Sequence, residues 1–113
     1  MANSWPTELR LSKDKRTLTI SFESGESFAL PAEYLRVESP SAEVQGHSPE
    51  QKTTVTGKQN VTIDAIEPVG NYAVRLIFDD GHDTGLFSWD WLFAMGRDMP
   101  EVWTAYLASQ GRS

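Results

Sequence analysis

Apolar residues in two stretches of this chain fall at every second position, and that alternation limits the possible folds more than any other feature. Leu18, Ile20 and Phe22 alternate with Thr17, Thr19 and Ser21, and Tyr72, Val74, Leu76 and Phe78 repeat the pattern. A period of two marks strands with one buried face. Each stretch has strand-like neighbours. Before the first, Glu8 to Ser12 carries Leu9 and Leu11 on one side and is followed by the polar turn Lys13 to Arg16. After it, Ser24-Gly25 offers a hairpin turn and Ser27 to Leu30 a returning strand. Around the second stretch, Val61, Ile63, Ala65 and Ile66 predict a preceding strand that Pro68-Val69-Gly70-Asn71 breaks. Asp79-Asp80-Gly81-His82 is the strongest hairpin signal in the chain, with Thr84 to Phe87 returning.

Helical signals fill the remaining segments. Pro31 suits a first helical turn, and Ala32 to Arg36 has the propensity for one or two turns before Ser39-Pro40. Ser88 can cap a helix over Trp89 to Met95 that Gly96 would end. Asp98, with Glu101 three residues on, predicts a further helix carrying Val102, Trp103, Tyr106 and Leu107 and stopped by Gly111. The expected fold is α+β: one domain over 1–113, about six antiparallel strands, a short helix after the third strand and two C-terminal helices. Residues 8–96 would form its core and 98–110 a helical extension. From Ser39 to Gln59 the chain is polar, with Ala42 and Val44 the sole anchors before Val55, so a long loop is predicted and is the first place to seek a site.

Composition removes several functions. At 113 residues the chain suits one domain that can bury a core without staples. Cysteine is absent, which excludes disulfides, thiolate catalysis and every cysteine-based zinc or iron-sulphur site. Ten Lys plus Arg against 16 Asp plus Glu give a net charge of −6, the wrong balance for displacing phosphate counterions, so no nucleic-acid partner is expected. The basic group Lys13, Lys15 and Arg16 reads as a solvated turn. No apolar run reaches the roughly 18 residues of a membrane span, and the first residues lack a secretory pattern, so a cytoplasmic protein is expected and Asn60-Val61-Thr62 is an accidental sequon.

Motifs for chemistry are sparse. The two histidines, His47 and His82, are not followed by the spacing of a two-His-one-carboxylate iron site, and there is no zinc-protease motif, phosphate loop or dinucleotide fingerprint. Gly46-His47-Ser48-Pro49-Glu50 opens like a nucleophile elbow but lacks its closing Gly. Asp79, Asp80 and Asp83 beside His82 lack calcium-loop spacing and read as a solvated hairpin. Four tryptophans are many for this size. On a helix from Trp89, that residue, Leu92 and Phe93 share one face while Trp91 and Met95 point away, so the segment needs cover on both sides.

Several ordered blocks are similar to a known family: Leu35 through His47, then Val61-Thr62-Ile63, Ile66 through Tyr72, and Asp80 through Trp89. Over about Glu8 to Gly96 the chain resembles the stand-alone bacterial family of unknown function that shares the γ-butyrobetaine hydroxylase N-terminal domain. Relatives of that kind occur at the N-terminus of γ-butyrobetaine and trimethyllysine hydroxylases and at the C-terminus of P-loop iron-sulphur scaffold ATPases. In the hydroxylases the resemblance implies a small zinc module with three cysteines and a histidine. Their positions fall here on Ser39, Ser41, Val44 and His82. Hydroxyls and an isopropyl group do not replace thiolates, so no zinc or other cofactor is expected and His82 is at most a weak metal candidate.

The resemblance implies a general accessory role, and the sequence as a whole is read as a non-enzymatic domain that acts on a protein partner, as a monomer or weak homodimer. Its candidate interaction residues are Arg36, Ser39, Ser41, Glu43, His47, Asp80, His82 and Trp91. Two alternatives come from other classes. One is a metal-dependent role in iron or iron-sulphur handling that uses His82 or His47, and the other is small-molecule binding at the 39–59 loop.

Overall fold

A computed structural model describes residues 5–46 and 48–112. Strands β1 (Pro6–Leu11), β2 (Thr17–Phe22) and β3 (Ser27–Pro31) form one antiparallel sheet in that order. Strands β4 (Ile63–Val69), β5 (Ala73–Phe78) and β6 (Leu86–Ser88) form a second. The six expected strands are present and antiparallel, divided between two sheets. Helix α1 (Ala32–Val37) follows β3, and a short α2 (Ala42–Gln45) and a 3-10 turn (Pro49–Gln51) lie in the segment read as loop. Helix α3 (Trp89–Ser109) ends the chain.

Alternation does what was expected of it. Leu18, Ile20 and Phe22 of β2 are all at most 3% exposed, and Val74, Leu76 and Phe78 do the same for β5. Both sheets meet Tyr34 and Leu35 of α1 and Leu92 and Met95 of α3 in one core. A backbone bond ties the halves together, Ile63 N–H donating to Lys15 C=O at 2.9 Å, and within the first half Ala32 N–H donates to Arg16 C=O at 2.6 Å. Gly81 takes the positive φ of 90° that the β5–β6 hairpin requires.

Two expectations are corrected. Pro68 does not end β4, which continues to Val69 and pairs Pro68 with Val74. As an edge strand, β4 can hold a residue with no N–H to donate on its open side. The two C-terminal helices are one 21-residue helix. Gly96 does not stop it, because this position is buried against the Phe28 ring and its missing side chain allows that approach. Asp98 caps nothing; it pairs with Arg97 at 2.9 Å, and Pro100 sits inside the helix at the cost of one N–H bond.

Candidate functional site

The segment after α1 folds back on the β5–β6 hairpin, and the contact is polar. Ser39 is fully buried, Ser41 is 6% exposed, and both hydroxyls point at one atom, His82 Nε2, from 3.0 and 3.4 Å. Ser39 Oγ accepts from the Ser41 backbone N–H at 3.3 Å, which leaves its own hydrogen free to donate to Nε2. The other ring nitrogen, Nδ1, faces Glu43 Oε2 at 3.6 Å, close enough for electrostatic attraction and too far for a hydrogen bond. Val44 is buried beside these residues in sequence, and it and Gln45, which donates to Ser39 C=O at 2.8 Å, anchor the segment that composition alone assigned to loop.

A second cluster flanks the first. Asp80 accepts the His82 backbone N–H at 3.0 Å on one oxygen and binds Arg36 Nε at 2.9 Å and Lys58 Nζ at 2.6 Å on the other. Thr84 donates to Glu43 at 3.0 Å. Of the residues singled out in the sequence, Arg36, Ser39, Ser41, Glu43, Asp80 and His82 therefore come together. His47 lies outside the described residues. Trp91 sits elsewhere, in a cleft between α1 and α3 with Tyr34 and Met95. Lys58 and Thr84 were not singled out, because single polar residues carry no signal until the fold gives them a partner.

Charge in the cluster follows from burial. His82 titrates below the ordinary histidine value, since burial penalises the imidazolium and Arg36 repels it, against the pull of Glu43 and Asp80. Burial pushes the Asp80 carboxyl up, but Lys58, the His82 N–H and Arg36 outweigh it and hold the group at about 2. Both effects destabilise the fold in acid, in different windows. The unfolded His82 takes a proton that the folded one refuses, so stability is lost as pH falls from about 6.5 through the lowered native value. The Asp80 contribution is intact above about 3.9 and is lost as pH falls through about 2. A thermal midpoint that drops between about pH 7 and 5 in the wild type and much less in His82→Gln is the expected result. Equal drops in both would refute the buried neutral histidine.

Chemically, the set is closed. Ser39, His82 and Glu43 have the order of a hydrolase triad, but a hydroxyl at 0% exposure cannot meet a substrate carbonyl. As zinc ligands the residues do not fit: two neutral hydroxyls already satisfy Nε2 at hydrogen-bond lengths, and the fourth position is an isopropyl group. Gly85 packs so close to Ser39 Oγ that a Cβ there would collide with it. Among the described residues no three His, Asp or Glu side chains group as a metal site. The hairpin acids go separate ways, Asp79 to the Thr62 N–H at 3.1 Å and Asp80 to Arg36 and Lys58. Ser48 is bonded to Glu50 at 3.0 Å.

Solved structures share this architecture. One NMR solution structure is 51% identical with a TM-score of 0.80, over 95% of this chain and 80% of its own. Another is 46% identical with a TM-score of 0.79, over 99% and 90%. A crystal structure of a protein of unknown function of the DUF971 family, from Acidithiobacillus ferrooxidans ATCC 23270, is 37% identical with a TM-score of 0.68, over 80% and 91%. No curated protein matches the chain. Residues 9–93, from β1 into the first turns of α3, match the family described as gamma-butyrobetaine hydroxylase-like, N-terminal, and the chain belongs to that family.

Proposed function

We propose that the chain is a non-catalytic accessory domain that binds another protein through the face where the 39–59 segment lies on the β5–β6 hairpin. One observation carries this reading: buried hydrogen bonds pin the segment to His82 while Glu43, with its side chain 65% exposed, stands at the rim. A polar face held in one conformation loses little entropy on binding, which is what a recognition surface needs. In this reading the Ser39, Ser41 and His82 cluster is the support and no zinc is held.

The test uses the full chain as bait in an extract of its host. Glu43→Ala should lower capture of a specific partner severalfold while changing stability by no more than about 0.5 kcal/mol, as for an exposed side chain. Unchanged capture would remove Glu43 from the interface, and a loss of several kcal/mol would make the segment packed structure instead. Capture that depends on added metal and disappears with a chelator would favour the metal-dependent alternative, to which the unpartnered Nδ1 of His82 lends its one support.

A further inference from the structure

Strand β1 is an open edge: it pairs with β2 on one side, and no strand among the described residues pairs with the other. Its outward-facing residues follow from the register. Phe22 N–H donates to Glu26 C=O and, at the other end, Ala32 N–H to Arg16 C=O, so Leu18, Ile20 and Phe22 turn their backbone groups to β3 while Thr17, Thr19 and Ser21 turn theirs to β1. Ser12 N–H accordingly donates to Thr17 C=O at 2.9 Å. Glu8 and Arg10, opposite Ser21 and Thr19, are bonded to β2. Leu9 and Leu11, opposite Ile20 and Leu18, therefore point their N–H and C=O groups away from the sheet. Elsewhere β4 carries Pro68 and β6 is three residues long, two features that blunt an edge, whereas β1 has its proline at the first position only. An unblocked edge of this kind takes on a further strand.

Side chains decide which strand fits. If a second β1 lies antiparallel about a two-fold axis at Leu9, each Leu9 N–H donates to the Leu9 C=O of the other copy. On both sides of that axis Glu8 then comes opposite Arg10 of the second copy, at positions where Cα atoms are about 4.5 Å apart and side chains are nearest. Moving the axis to Glu8 or Arg10 sets like charges face to face and brings together residues whose backbone groups are already bonded to β2. Within one chain Arg10 and Glu8 touch at 2.9 Å, with side chains 69% and 53% exposed. Pairing of two copies keeps that contact, because the four charges alternate around the axis and no ion pair has to open. On the opposite face Leu9, packed against the core and only partly buried, gains the Leu9 of the second copy as cover.

We propose that the open edge of β1 binds a second copy of this chain, antiparallel and centred on Leu9, so that the two N-terminal sheets join into one of six strands. This surface is separate from the segment-and-hairpin face and does not depend on it. Sedimentation equilibrium of the full chain over a concentration series should show a reversible dimer. Glu8→Arg sets cations opposite Arg10 in both cross-strand pairs, and Arg10→Glu sets carboxylates opposite Glu8. Either change turns two attractions into repulsions and should raise the dimer dissociation constant about tenfold or more. Both side chains are exposed, so the thermal midpoint of the dilute monomer should stay within a few degrees of the wild type. Mixed in equal amounts, the two variants should regain the wild-type dissociation constant as a heterodimer, since every cation then faces a carboxylate of the other chain. A wild type that remains monomeric at millimolar concentration, or a dimer that either substitution leaves intact, would overturn the interface. Variants that dissociate and do not recover on mixing would overturn the pairing centred on Leu9.

Discussion

Cutting the chain after Asp98 is expected to unfold the domain, because the second half of α3 is part of the core. The Trp103 ring lies 5.4 Å from Tyr34 and is stacked on Tyr106 at 5.5 Å. Tyr106 is 9% exposed and its hydroxyl donates to Val55 C=O at 2.8 Å, holding the far end of the polar segment. Arg112 makes two hydrogen bonds to Glu33, a carboxylate only 7% exposed, and truncation removes this pairing. Removing one large buried aromatic costs about 3 to 5 kcal/mol, and here several aromatic and apolar contacts are lost together. A domain of this size has about 5 to 15 kcal/mol in total. The truncated chain should lose its cooperative urea transition and bind a hydrophobic dye. If it is as stable as the full chain and merely passes from dimer to monomer in light scattering, the end of α3 is an assembly element and the packing argument is wrong.

Gly96→Ala should destabilise the protein by about 1 to 3 kcal/mol, the reverse of what helix propensity predicts. In an exposed helix interior, alanine in place of glycine gains about 1 kcal/mol. Here an added Cβ would run into the Phe28 ring, at the atoms nearest that residue's own backbone. The ring cannot easily turn aside, since edge-on contacts with Phe22 at 6.1 Å and Phe93 at 5.6 Å hold it. A double-mutant cycle with Phe28→Leu isolates the cause. Shrinking the ring should recover a large part of the loss, and a cycle showing simple additivity would place the cost elsewhere than in this contact.

What the residues determined without help was local. Period-two alternation, a Gly in the β5–β6 turn and the Ser88 cap, whose hydroxyl accepts from Trp91 N–H at 3.1 Å, act between residues close in sequence. They therefore marked all six strands, the start of α3 and the core positions of β2 and β5. Order of blocks along the chain also carried the family resemblance, and it placed Ser39, Ser41 and His82 at positions that the fold brings together.

Tertiary structure decided everything that depends on a distant partner. Gly96 reads as a helix stop until Phe28 of β3 is packed on it, and the burial of Met95, Gly96 and Tyr106 then carries the helix through Pro100. Ala42 to Gln45 is too short and polar to announce a helix; its stability comes from Val44 in the interior and from the hairpin that it covers. Six alternating strands are equally compatible with one sheet or two, because side-chain period reports which face is buried and says nothing about which edges pair. Asp80 illustrates the same limit for the site. In sequence it is one of several hairpin acids, and it differs from Asp79 and Asp83 because the fold delivers Arg36 and Lys58 to its carboxylate.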